Sequence, residues 1–163
     1  TIIEWLPVFN EENTCKIIAD SLNYCIEHKQ LRINAYVIMP NHMHLIAFDA
    51  DFDVKRLKYT LDDFRKFTGR ALTDYCVAKQ LNVFTDVFRK RAGTDRNHRF
   101  WKPNQHPIGI SNEIIWKQKV DYIHWNPCKK GLADEPEEWR FSSASFWEDP
   151  STPSDIKISM VNW

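Results

Sequence analysis

The stretch "VIMPNHMHLIAF", residues 37–48, decides the fold. Its β-prone residues flank a central "PN", so it reads as the tip of a hairpin joining "LRINAYVIM" to "HMHLIAF". Placing an amide and two imidazoles in so apolar a run costs free energy unless something pairs with them. Side chains alternate along a strand, so His42 and His44 project from one face while Met43, Leu45 and Ala47 turn toward the core. Two imidazoles on one rigid strand can share a divalent metal. The plainer alternative is a half-exposed pair at a hairpin end.

Working outward, "TIIEWLPVF" reads as a first strand. In residues 10–30, Ile17, Ile18, Leu22, Cys25 and Ile26 keep helical spacing, with Asn13 or Thr14 as cap candidates. Beyond the hairpin, Val54, Leu57, Leu61, Phe64, Thr68, Ala71 and Tyr75 mark a long amphipathic helix, followed by a shorter one in "NVFTDVFRKRA". Residues 93–110 carry no period and read as a long loop, of a kind that is usually functional or mobile. Ser111 or Asn112 then caps "EIIWKQKVDYIHWN", which Pro127 and Gly131 stop. This order predicts an α+β fold over residues 1–163, a ferredoxin-like antiparallel sheet with helices packed on one face.

At 163 residues and 43% hydrophobic, the chain is expected to form one soluble domain. No apolar run approaches the roughly 20 residues of a membrane span, and no signal peptide is visible. The start at Thr1, inside a β-prone run, suits a trimmed N-terminus. Four cysteines without CxxC spacing point to reduced thiols and a cytoplasmic location. Net charge is zero, yet residues 54–130 hold 17 of the 22 Lys+Arg and only 7 of the 22 Asp+Glu. A neutral protein can therefore present a basic face, the footprint of phosphate binding; long helices solvated by cations would look the same.

A second motif is "DYIHWNP", residues 121–127. Tyr122 and Asn126, four apart on a helix, share a face, while His124 points elsewhere. The phenol is a nucleophile once deprotonated, and the carboxamide oxygen is a ligand for a hard cation. A tyrosine near a helix end is otherwise a common packing residue, and Pro127 disfavours helical geometry at Asn126. A phenol ordinarily titrates near 10, so it needs help to attack a phosphodiester. A cation held by His42, His44 and Asn126 would give that help.

These residues resemble a known family. "VIMPNHMHLI" is similar to the histidine signature of single-tyrosine HUH transposases, and "DYIHWNPCKKGL" to the tyrosine motif of their REP-associated type. "RKFTGR" and "FWKPNQHPIGI" fit as well, and the resemblance extends from "WLPVF" to "FSSASFW". It implies an HUH nuclease-like fold and a bacterial enzyme, nucleoid-associated when bound to DNA, that cleaves and rejoins single-stranded or hairpin DNA. Tyr122 would form a 5′-phosphotyrosine intermediate, and His42, His44 and Asn126 would hold Mg²⁺ or Mn²⁺. A homodimer is also implied. The chain departs from many relatives near Trp101–His106, where "WKPNQHP" replaces a Trp-Gln pair followed by Tyr, which reads as altered DNA contact.

Lys55, Arg56, Lys58, Arg65, Lys66 and Arg70 on the long helix are candidate DNA contacts. So are Arg89, Lys90, Arg91, Arg96 and Arg99 around the loop, with Trp101 or Phe100 stacking a base. Asp49, Asp51 and Asp53 are better explained by the start of the helix than by a metal. Two rival readings stand beside the nuclease: a hairpin-binding protein, derived from a transposase, whose chemistry is dispensable, and a metal-dependent hydrolase that uses water.

Overall fold

The computed structural model describes residues 1–94, 97–103 and 107–161. A hairpin forms its centre: β1 (Leu31–Met39) pairs antiparallel with β2 (His42–Asp49) across a two-residue turn at Pro40 and Asn41. The register sets Met39 against His42 and Val37 against His44, with an irregularity between Ile33 and Ala35. That bulge lies at Asn34, whose carboxamide oxygen accepts from the Trp116 indole at 2.6 Å and whose amide donates to Ser159 O at 3.0 Å. It also shifts the inward phase of β1 from Leu31 and Ile33 to Tyr36 and Ile38.

Helices cover both faces of the hairpin. On one face, α1 (Glu12–His28) and α2 (Val54–Ala78) pack together, burying Ile18, Leu22, Phe64 and Leu72 against Ile33, Tyr36 and Ile38. Met43, Leu45 and Ala47 of β2 join this core, as their alternation predicts. The opposite face presents Val37, Met39 and Ile46, and Ile123 of α4 (Glu113–His124) is buried on them together with Trp139. Helices on one face only was the expectation. The outward residues of these strands are also apolar, and α4 removes them from water.

The expected first strand is absent. Residues 1–10 instead hold two 3₁₀ turns, Ile3–Trp5 and Val8–Asn10, separated by Leu6 and Pro7. Glu4 and Trp5 take φ of 51° and 57°. Left-handed geometry costs such residues roughly 1–2 kcal/mol each. Burial of Ile2, Ile3, Val8 and Phe9 in the main core offsets it, since a fully buried side chain of this size contributes about 1.5–3 kcal/mol. The segment is tied by Ile2 N–H to Asn41 O at 3.0 Å and Ile3 N–H to Phe100 O at 2.8 Å.

The neighbouring helices form as the periodicity predicts, with some differences at their ends. α1 starts at Glu12 without a side-chain cap; the Thr14 hydroxyl instead donates to the carbonyls of Val8 and Glu11. Asp53 caps α2 through the N–H groups of Lys55 and Arg56, and Asn112 caps α4 through that of Ile115. α3 (Asn82–Lys90) follows α2; after α4 come the single turn α5 (Asn126–Lys129) and the short α6 (Ala144–Glu148). The C-terminal segment lines the other edge of β1, where Ser143 N–H donates to Tyr36 O at 3.0 Å and Ser159 N–H to Ile33 O at 2.7 Å. Among the described residues the four cysteines are free thiols, and no helix is long and apolar enough to cross a membrane.

Candidate active site

The strand period sets the two histidines side by side, with ring centroids 5.0 Å apart and nearly perpendicular. Burial holds both below the usual imidazole range, His42 down to about 4 with the positive charge of His44 adding to the effect. Both rings are thus neutral at pH 7, the form that binds metal. His42 Nδ1 lies 2.6 Å from Asn41 Oδ1. A carboxamide oxygen accepts, so Nδ1 carries the proton and Nε2 is left with its lone pair.

Tyr122 reaches the same place from α4. Ile123 anchors that helix on Val37 and Met39, and His124 locks it further through Nε2 to Ser143 Oγ at 2.9 Å. The neighbouring Tyr122 ring then stands 5.4 Å from His44, edge-on and 48% exposed. Nucleophile candidate and imidazole pair therefore meet within one chain. Lys129 Nζ sits 5.4 Å from the Tyr122 ring centroid, and Lys130 is close enough to His42 to act on its charge. A cation flanks each motif where a phosphate would need one.

Asn126 follows one turn after Tyr122. Trp125 keeps helical φ and ψ and links α4 to α5, with Pro127 in the first turn of α5, where its missing N–H does no harm. Asn126 is buried, 6% exposed, and its carboxamide makes no hydrogen bond with a described residue. No group of three or more His, Cys, Asp or Glu that could hold a metal occurs among the described residues.

The proposed DNA contacts divide. Lys55 and Lys90 are exposed; Lys58, Lys66, Arg70 and Arg89 are exposed and, among the described residues, have only intrahelical ion-pair partners at 3.1–3.9 Å. Such pairs contribute about 0.2–1 kcal/mol and exchange readily for a phosphate. Arg65, Lys66, Arg70 and Arg99 line a cleft of about 800 Å³ between α2 and residues 97–103.

Arg56 is a different case. It donates Nε and Nη2 to the Asp49 carboxylate at 2.6 Å each, and Nη2 also meets Asp51 at 2.6 Å. Asp49 is 2% exposed, so this fork neutralises a carboxylate at the end of β2 and holds it well below the usual range. Arg91 pairs with Glu4 at 2.9 Å, and Arg65 donates to Lys102 O. Arg96 lies outside the described residues, as do Asn104, Gln105 and His106 of the departing segment.

The stacking role expected of Trp101 or Phe100 fails. Trp101 is 9% exposed, its indole donates to Thr68 Oγ1 at 3.1 Å, and Phe9 and Phe100 pack around it. Phe100 is buried against Phe9 and Phe88. Burying both rings gains more than exposing them, because the single polar N–H finds a partner inside. Sequence reasoning passed over Asn41, Lys129 and Lys130 as site residues. All three lie inside or beside the quoted motifs, so adjacency was the available signal.

No protein-family model matches this chain. It is 26% identical over 118 residues to a REP-associated tyrosine transposase of Escherichia coli (strain K12), covering 71% of this chain and 55% of that protein. A Haemophilus influenzae protein named for the same transposase type is 28% identical over 120 residues, with 72% and 61% covered. The chain thus spans under two thirds of the length of these curated relatives. A solved structure of a REP-associated tyrosine transposase bound to a REP hairpin superposes with a TM-score of 0.54 at 20% identity, covering 93% of this chain and 78% of the other. The chain is thus similar in sequence to proteins named REP-associated tyrosine transposases, and its α+β fold is similar to the HUH nuclease-like fold of the solved one.

Proposed function

We propose that the protein is a metal-dependent DNA strand-cleaving and strand-joining enzyme acting on single-stranded or hairpin DNA. The observation that carries this reading is the half-open Tyr122 ring 5.4 Å from His44, itself 5.0 Å from His42, in one subunit. The name of the E. coli relative and the hairpin bound by the structural neighbour agree with it.

In this reading His42, His44 and Asn126 hold Mg²⁺ or Mn²⁺. Neutral imidazoles, an Nε2 left free by the Asn41 contact and an Asn126 carboxamide with no hydrogen bond to a described residue fit such an ion. A bound divalent cation would polarise the scissile phosphate and offset charge growing on its oxygens. Tyr122 supplies the attacking oxygen: its bond to phosphorus forms as the bond to the 3′ oxygen breaks. The phenol proton passes to water, and the leaving 3′ oxygen takes one up. Lys129 and Lys130 hold the phosphate beside the ring, and the exposed cations of α2 carry the flanking backbone. A later attack by a free 3′-hydroxyl on the phosphotyrosine rejoins DNA and restores the phenol.

The test is a covalent adduct on a denaturing gel, with labelled hairpin and single-stranded DNA plus Mg²⁺ or Mn²⁺. The adduct should vanish with EDTA, in Tyr122→Phe and in His42→Ala/His44→Ala. Cleavage without an adduct means that water is the nucleophile. Binding without cleavage means a hairpin-binding protein. Sedimentation with and without DNA tests the homodimer that belongs to this proposal.

A further inference from the structure

We propose that Trp5 and Lys102 form a nucleotide subsite beside the histidine pair, Trp5 stacking an unpaired base and Lys102 holding the adjoining phosphate. The inference rests on the nucleic-acid reading of the site and names the part of the substrate bound next to the reacting phosphate.

Four observations converge on it. Trp5 is 52% exposed, although Ile3 and Leu6 on either side of it take part in the core. Its indole stands 6.0 Å from His42, close to perpendicular, so it borders the candidate metal pair. Lys102 Nζ lies 4.1 Å from the indole centroid, which sets a cation against the ring. Finally, the display is built rather than incidental. Glu4 and Trp5 hold left-handed geometry, Arg91 pairs with the Glu4 carboxylate, and Lys102 N–H donates to Thr1 O at 3.0 Å.

A strained backbone that turns a large aromatic ring out into solvent, next to a reactive centre, serves binding better than packing. Every base has a π-face, so a single ring accepts any base at that position without reading its identity. The cation against the indole lies where a strand stacked on that ring brings its charged backbone. Arg65, which donates to Lys102 O, continues the path from this point into the basic cleft on α2. The strand would run from the histidines across Trp5 and Lys102 toward that cleft.

The experiment measures affinity by anisotropy for a hairpin with a single-stranded flank, intact or with one abasic position at a time along the flank. In the wild type one abasic position should weaken binding about tenfold. Trp5→Ala should weaken the intact DNA by about the same factor, and the sensitive abasic position should then cost less than about twofold more. Trp5→Phe should stay within about threefold of wild type, and Lys102→Ala should lower the slope of log affinity against log salt by about 0.7. Tyr24→Ala, an exposed ring on α1, serves as the control and should change little. Should Trp5→Ala misfold, Trp5→Phe and the abasic series on wild type still decide the matter. Undiminished binding by folded Trp5→Ala, or abasic costs identical in both proteins, overturns the subsite while adduct formation by Tyr122 keeps the enzyme reading intact. Failure of the wild type to bind any of these DNAs overturns both.

Discussion

Two regions of this molecule take opposite courses. Around the hairpin, three of the four residues singled out for chemistry stay within reach of solvent: His42, His44 and Tyr122 meet there, while Asn126 is buried. Around α2 and residues 97–103, several residues singled out for binding are drawn into the structure. Trp101 and Phe100 enter the core, and Arg56 clamps the buried Asp49. The difference lies in what fixes each residue. The strand period of β2 and the helix period of α4 are local and are kept in the fold, whereas the fate of a charged or aromatic side chain depends on what the rest of the chain brings beside it.

The largest expected effect would break the first half of this contrast. Tyr122→Phe should reduce covalent adduct on hairpin DNA by roughly 10³-fold or more, measured by gel at saturating DNA and metal. An adduct that persists means another nucleophile, and Tyr122 is then only packing. For the second half, Trp101→Ala should lower stability by about 3–5 kcal/mol in urea unfolding. Unchanged stability combined with weaker DNA binding would return Trp101 to the role first expected of it.

The third effect concerns His124, which fastens α4 and therefore Tyr122. Burial lowers its pKa to about 4 from an ordinary 6.5, so the unfolded chain binds the proton more readily. Its stabilising contribution is present above pH 6.5 and is lost as pH falls toward 4, by roughly 3 kcal/mol. Urea midpoints measured from pH 7 to 4 should show that slope, reduced in His124→Gln. The smallest effect separates exposed cations from committed ones. Lys66→Ala should weaken DNA binding only a few-fold and lower the salt slope by about 0.7–0.9, with stability unchanged. Arg56→Ala should do the reverse, losing stability because Asp49 is left buried without its partner. If the two variants behave alike, the division drawn among the cations is wrong.

The hairpin, α2 and the chemical pair were legible because their signals repeat within a few residues. The period-two pattern of 42–48 set His42 and His44 on one face, and the run from Val54 to Tyr75 marked α2. The first nine residues misled because "TIIEWLPVF" has strand composition, yet Pro7 and the turned Glu4–Trp5 pair break the strand. Trp101 misled because an indole among arginines looks like a stacking platform until Thr68, thirty-three residues away, supplies a partner inside the core.

The sequence by itself determined which side chains could do chemistry and which of them share a face, since backbone geometry enforces both over short spans. Only the tertiary structure decided that Tyr122 stands against His44, that α4 covers the outer face of the hairpin, and that Trp101 is buried while Trp5 stays half exposed. Those outcomes depend on residues tens of positions apart meeting in space, and they follow from burying the most apolar surface while leaving few polar groups unpaired.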